Sequence, residues 1–233
     1  MKKIKPLCVI PARMDSKRLS LKNIKNLCGM PMIAWTIEAA IDSKEFDVVY
    51  VSTENKEIAK IAKKFGAEIN KRPKELAGDL ISSTDVCLNV WETYKEYDTM
   101  VCLQPTSPLR TAEDIKNALK FFKNHKDANY LVSVTPIDPH YFHWALKIDD
   151  NGYEKMYFGN KYLIERPLLP KVYRPNGAIK IGSINEILKT KHFFGNKLIC
   201  YEMPEERSVH VATQFDFDVC EYLIKKYILR KNL

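Results

Sequence analysis

Glycine is scarce in this sequence, with 8 residues in 233. No Gly-x-Gly-x-x-Gly and no Gly-x-x-x-x-Gly-Lys-Ser/Thr occurs, so the phosphate fingerprints of nicotinamide dehydrogenases and Walker-type ATPases are both missing. The six cysteines, Cys8, Cys28, Cys87, Cys102, Cys200 and Cys220, never form a Cys-x-x-Cys pair. Several stand among aliphatic residues in periodic segments and read as small core hydrophobes of a reducing compartment. His140 and His143, in "PHYFHW", have no cysteine nearby to complete a zinc site. No apolar run approaches the roughly 18 residues of a membrane span, and the stretch after the first lysines is short and broken by Pro11. A cytoplasmic protein without a membrane partner is expected. Internal repeats and low-complexity segments are absent as well.

What is present is material for a core. Hydrophobic residues make up 45% of the chain, including 12 tyrosines, 10 phenylalanines and 3 tryptophans, which suits one packed domain with at most a modest insertion. Lysine and arginine outnumber acidic residues 37 to 29, and the formal charge of +8 suits anionic ligands in general. Much of that charge lies in "NKEIAKIAKKFG" and "LIKKYILRKNL", which read as solvated helix faces. A nucleic-acid partner is not expected, because most aromatics fall on core-facing helix stripes instead of forming exposed platforms among basic residues.

Strand-like and helix-like patterns alternate over residues 1–137. "PLCVIPA", "DVVYVST", "AEINKRP", "TMVCLQP" and "NYLVSVTPI" read as strands. Between them, Pro31 opens one helix, Ile58, Ile61, Ala62 and Phe65 stripe a second that stops at Gly66, and Cys87, Val90, Trp91 and Tyr94 mark a third. Thr111 can cap a fourth, carrying Ile115, Ala118, Leu119 and Phe122. Such alternation implies an α/β fold with a mostly parallel sheet covered on both faces, whose ligands bind beyond the carboxyl ends of the strands. Residues 138–175 break the pattern with prolines, aromatics and a hairpin turning at Asp150-Asn151-Gly152, and read as an inserted lobe. The first domain resumes over 176–233, with strands "NGAIKIG" and "LICYEMP" and a closing helix on Cys220, Leu223, Ile224 and Tyr227.

Polar residues that packing does not require gather at the strand ends. The first strand empties into Arg13, Ser16, Lys17, Lys22 and Asn23, cations and donors that suit a triphosphate. The same residues suit a solvated connection, and spacing does not separate the two. In "LQPTSPLRT", Pro105 and Pro108 fix the backbone while Gln104, Thr106, Ser107 and Arg110 offer hydrogen bonds. In "QFDFDVCEY", Asp216 and Asp218 would point the same way if extended, as a shared magnesium ion needs. Asp218 with Glu221 also has the spacing of a capping box, the simpler account from spacing.

Together and in this order, "IPARMDSKRLSLKN", "KRPKELAGD", "LQPTSPLRT", "RPLLPKVYRPNGAI" and "FDFD" resemble the acylneuraminate cytidylyltransferases, the CMP-sialic acid synthetases, over nearly the whole chain. The resemblance implies a three-layer Rossmann-like nucleotidyltransferase fold with a small dimerisation lobe, acting as a homodimer. It implies a reaction in which CTP and a nine-carbon 2-keto sugar acid give the CMP-sugar and pyrophosphate. By the same resemblance Arg13, Ser16, Lys17, Lys22 and Asn23 hold the triphosphate, with Arg13, Lys17 and Lys22 stabilising charge in catalysis. Arg72 recognises cytosine, and Asp79 and Ser83 complete the nucleotide pocket. Gln104, Arg166 and Lys180 face the sugar acid. Asp216 and Asp218 bind magnesium, the implied cofactor, which makes Asp218 catalytic as well. No residue stands out as a general base. The chain carries Met14 and Asp15 where the family often has glycines, Arg18 in place of another, and Lys180 where a tyrosine is usual. With "PIDPHYFHWALKIDDNG" it looks most like bacterial members that activate legionaminic acid. N-acetylneuraminic acid is the other leading substrate. Pseudaminic acid, Kdo and a non-catalytic nucleotide- or RNA-binding protein are the alternatives.

Overall fold

The computed structural model describes residues 1–14, 16 and 18–229. Its elements in chain order are β1 (Pro6–Pro11), β2 (Asn26–Leu27), β3 (Met30–Pro31), α1 (Met32–Asp42), β4 (Val49–Thr53), α2 (Lys56–Lys64), β5 (Glu68–Lys71), α3 (Ser83–Thr93), β6 (Thr99–Cys102), α4 (Ala112–Asn124) and β7 (Tyr130–Ile137). There follow α5 (Pro139–His143), β8 (Leu146–Ile148), β9 (Glu154–Met156), β10 (Val172–Ser183), α6 (Ile184–Thr190), β11 (Leu198–Glu202) and α7 (Gln214–Leu223). Seven strands form one sheet in the order β11-β7-β10-β6-β1-β4-β5. Every pairing in it is parallel except those of β10, which runs antiparallel to both β6 and β7.

The unbroken apolar run of β1 follows from its place in the middle of this sheet. Leu7 and Val9 pack with Cys87 and Val90 of α3 and with Ile184 and Ile187 of α6. Cys8 and Ile10 pack on the other face with Ile33 and Ile37 of α1, Ile58 of α2 and Leu119 of α4. A strand buried on both faces has no position for a polar side chain, so period-two alternation is absent. The helices begin where capping residues stand. Asn55 caps α2, while Ser82 with Asp85 and Thr111 with Asp114 form capping boxes on α3 and α4. Gly66, at φ +88°, lets the chain leave α2.

The expected lobe is present, with a different boundary. β10 begins at Val172, paired with Ile137 at the far end of β7, so the main sheet takes the chain back before Asn176. Between them lie α5 and the β8–β9 ribbon, whose turn is made as expected by Gly152 at φ +85°. The Asp149 carboxylate accepts from the Asn151 and Tyr153 amides there. The aromatics of this lobe do not lie on core-facing stripes: Tyr141, Trp144, Tyr153 and Tyr157 are exposed. A short helix and a two-stranded ribbon offer no second layer to bury them. Cys8, Cys87, Cys102 and Cys220 are buried as small hydrophobes, whereas Cys200 is exposed, and none forms a disulfide.

Two features fix the carboxyl edge of the sheet. Phe217, Cys220 and Ile224, from α7 and the turn after it, pack on Leu19, Leu27 and Leu109, which anchors the segment following β1. The second is a buried polar knot in β10, where pairing is interrupted between Pro175 and Lys180. Asn176 is 1% exposed. Its Oδ1 accepts from Ser133 Oγ and the Ala178 amide, and its Nδ2 donates to Ser208 Oγ at 2.9 Å. This ties β10 to β7 and to the segment leading to α7. Asn176→Ala would leave buried groups on these elements unpartnered. A loss of about 2 kcal/mol in urea unfolding, at unchanged m-value, is expected.

Candidate active site

β1 is the strand from which the chain goes first to one side of the sheet, β4 and β5, and then to the other, β6. The crevice beyond its carboxyl end is therefore the topological switch point, the usual ligand position in an open α/β sheet. A cleft of about 290 Å³ opens there, lined among others by Arg13, Ser16, Lys22, Asn23, Arg72, Ser83, Gln104, Thr106 and His210. These residues come from five separate parts of the chain.

Arg13 leaves β1 and pairs with Asp79 Oδ1 at 2.6 Å across the cleft mouth. Its carbonyl accepts from the buried Asn23 at 2.8 Å, which closes the basic loop on itself. Glu54, just past β4, accepts from the Met14 amide at 2.8 Å. Met14, where the resemblance leads one to expect a glycine, is thus held through its backbone. Arg72 is 5% exposed. It donates through Nη2 to the Ser52 carbonyl at 2.6 Å and through Nε to Ser52 Oγ, which fixes the guanidinium in the cleft wall. Lys180 donates to Ser83 Oγ at 3.3 Å from behind that wall. Arg110, fully enclosed, donates to the Ala178 carbonyl at 2.8 Å and, over a longer reach, to that of Gln104. It braces the floor without entering it.

The cleft is short of negative charge. Burial lowers the Lys22 pKa, the neighbouring Arg18 and Arg13 lower it further, and Asp216 only partly opposes them. No aspartate or glutamate lines the cleft among the described residues. A polyanion entering it would relieve repulsion as well as gain contacts.

Of the residues singled out in the sequence, the cleft brings together Arg13, Ser16, Lys22, Asn23, Arg72, Ser83 and Gln104; Asp79 pairs with Arg13 at the rim, and Lys180, expected to face the sugar acid, does not line the cleft but donates to Ser83. Lys17 and Asp15 lie outside the described residues. Arg166 does not reach this cleft. It is largely exposed in the lobe and pairs with Asp138 at 2.7 Å.

Asp216 and Asp218 are also apart from it, for a local reason. The segment is helical and not extended, and side chains two apart on a helix diverge by about 200°. Thr213 caps α7 and makes its capping box with Asp216, so the helix starts well before Asp218 and the expected Asp218–Glu221 box does not form its cap. Asp216 Oδ2 accepts from the Ala212 amide and from the Thr213 amide and hydroxyl. Asp218 is exposed and accepts from Gln214 Nε2 at 2.6 Å. No cluster of three or more His, Cys, Asp or Glu among the described residues suits a metal ion. Turned apart on the helix, with Asp216 engaged by the cap, the two carboxylates do not converge on one ion as they stand, and no step is assigned to a metal.

His210 is the residue that sequence reasoning missed. It precedes the α7 cap and lies beside Thr106 in the cleft lining, with Thr106 Oγ1 3.4 Å from Nδ1. Its pKa is lowered to about 4, by burial first and then by Lys22, Arg18 and Lys180, against an opposing pull from Asp216. The visible signal was a lone histidine just before a helix cap, which by itself says little.

A mostly parallel sheet with a cation-lined, side-chain-built cleft at its switch point defines a nucleotidyltransferase-type α/β domain. The chain belongs to the cytidylyltransferase family, which residues 7–166 match. It is 35% identical to the N-acylneuraminate cytidylyltransferase of Escherichia coli O18:K1:H7, over 92% of this chain and 51% of that protein. It thus spans about half the length of several curated relatives it matches. Against the pseudaminic acid cytidylyltransferase of Campylobacter jejuni the identity is 31%, covering 95% of this chain and 97% of that one. The post-translational flagellin modification protein B of Campylobacter coli is 34% identical, covering 97% and 96% of the two chains. Among solved structures, CMP:2-keto-3-deoxy-manno-octonic acid synthetase complexed with CTP superposes with a TM-score of 0.73 at 16% identity. That match covers 96% of this chain and 100% of the other and is a likeness of fold. No helix among the described residues is long and apolar enough to cross a membrane.

Two outcomes follow from this geometry. Since the folded His210 resists protonation and the unfolded one accepts a proton from about pH 6.5, the unfolded state binds more protons between pH 6.5 and 4. Stability should fall as pH drops through that window, by about 3 kcal/mol in total from this group, and urea titrations of His210→Gln should lack that component. Asp218→Asn should leave CTP affinity, measured by calorimetry, within about threefold of the parent, because an exposed helix carboxylate away from the cleft contributes little.

Proposed function

We propose that the chain is a CMP-nonulosonic acid synthetase, joining CTP to a nine-carbon 2-keto sugar acid and releasing pyrophosphate. The observation that carries this reading is the convergence of Arg13, Lys22 and Arg72 with Gln104 in one cleft at the switch point. Membership of the cytidylyltransferase family supports the nucleotide half of the reaction. Names of relatives containing N-acylneuraminate and pseudaminic acid support the sugar half.

In this reading Arg13, Lys22 and Asn23, with Lys17 of the same loop, bind the triphosphate, and Arg72, Asp79 and Ser83 shape the nucleoside end. The anomeric hydroxyl of the sugar attacks the α-phosphorus in line and pyrophosphate leaves. Charge that spreads over the phosphate oxygens is met by cations already held in place, so little reorganisation is needed at the moment of reaction. Gln104 and Thr106 lie at the opposite side of the cleft from Arg72 and suit the polar sugar acid.

The reading extends to a homodimer. Tyr141, Trp144, Tyr153, Ile148 and Leu168 expose apolar surface on the lobe, more than isolated surface residues need. Across such an interface Arg166 would meet the sugar carboxylate in a second subunit's cleft, a pairing its planar guanidinium suits.

Legionaminic acid is the preferred substrate in this proposal and N-acetylneuraminic acid the next. Pseudaminic acid is the second reading, favoured by the relative of that name matching over nearly its full length. Pyrophosphate release should be measured with CTP, magnesium and, in turn, legionaminic, N-acetylneuraminic, pseudaminic and Kdo acids. Release is expected with CTP and one nine-carbon acid, and not with CTP alone. Turnover restricted to Kdo, or none with any acid, would overturn the reading.

A further inference from the structure

Beyond charge, an attack by a sugar hydroxyl needs somewhere for its proton to go, and the cleft offers few acceptors. Among the described residues lining it, His210 is the only titratable group other than arginine or lysine. The ring is placed by contacts on several sides. Thr106 Oγ1 lies 3.4 Å from Nδ1 and can donate its own proton to Gln104 Oε1 at 3.5 Å. In that arrangement Nδ1–H donates to the threonine oxygen, and Nε2 carries the free lone pair. Gly177, at φ +75°, lets the ring approach: a Cβ there would stand 3.2 Å from Nδ1 and 3.5 Å from Gln104 Oε1. The imidazole is thus packed between the strand end bearing Gln104 and the bulge of β10, at the side of the cleft away from Arg72.

We propose that His210 is the general base of the reaction, taking the proton of the sugar's anomeric hydroxyl at Nε2. The inference rests on the synthetase reading above. As the hydroxyl O–H bond breaks, the new O–Pα bond forms, and the bond from Pα to the bridging oxygen breaks with its electron pair leaving on pyrophosphate. The proton stays on the ring as imidazolium until it passes to solvent. Burial and the charges of Lys22, Arg18 and Lys180 keep the ring neutral, with Asp216 the carboxylate pulling the other way among the described residues. A neutral ring is the form that can accept a proton. Triphosphate and sugar carboxylate bring negative charge beside it, which raises its proton affinity when both substrates are bound. A base that is weak in the free protein thereby strengthens in the complex.

The test uses the full chain with whichever acid the substrate panel shows to turn over. His210→Gln and His210→Asn should lower kcat by about 100-fold or more, with KM for CTP within about threefold, the usual worth of a positioned base. The acid limb of the kcat profile seen in the parent should be gone in both variants. Circular dichroism confirms that each is folded. A fall in kcat of less than about tenfold in a folded variant, or an acid limb that persists, would overturn the assignment while leaving the synthetase reading intact. Failure of the parent to turn over any acid would overturn both.

Discussion

Mutual repulsion among the cations at the carboxyl end of β1 is the constraint that the rest of this structure serves. Arg13, Lys22 and Arg72 stand around one cleft, and the residues that offset them, Asp79 at the mouth and Glu54 behind the wall, are placed to hold without filling it. Left to themselves such side chains would splay into water. They are held because backbone carbonyls of neighbouring segments accept hydrogen bonds from them: Ser52 from Arg72, Val211 from Lys22, Ala77 from Arg13. The result is a site charged before its ligand arrives, which is what electrostatic catalysis of phosphoryl chemistry requires.

Holding that arrangement calls for rigidity from below. The antiparallel β10 enters an otherwise parallel sheet, and at its irregularity Asn176 satisfies groups on two neighbouring segments at once. Arg110, buried beneath, reaches the carbonyls of both Gln104 and Ala178. A fully enclosed guanidinium is costly unless its protons are used, and here some are spent on fixing the backbone under the cleft. Its Nε and Nη2 have no partner among the described residues, so part of that cost stands, and burial lowers its pKa to about 10. The network under the cleft fixes Gln104, and the bulge fixes the approach of His210, so the placement of both depends on residues that do not line the cleft.

Most of the layered fold was legible along the chain, because buried strands and striped helices carry their burial pattern locally. β1, β4, β6 and β7 lie in the segments read as strands, and Thr111 does cap α4. The basic loop of the cleft was legible for a similar reason: Arg13 and Lys22 sit together in one loop after one strand. The failures share a cause too. Asp216 and Asp218 looked convergent because their spacing was read in an extended chain, whereas Thr213 starts the helix earlier and turns them apart. The direction of β10 was hidden because an antiparallel strand and a parallel one have the same apolar run. His210 was invisible because its meaning depends on Thr106, Gly177 and Lys22, each far from it in sequence.

By itself the sequence determined the alternation of strands and helices, the basic loop and the family, since these depend on short-range periodicity and on motifs that remain contiguous. Tertiary structure alone decided which charges face one another, which carboxylates are spent on a helix cap, and where a neutral imidazole sits among cations. Those outcomes depend on distances between strand ends and on exclusion of water. Neither quantity exists until the sheet has closed around them.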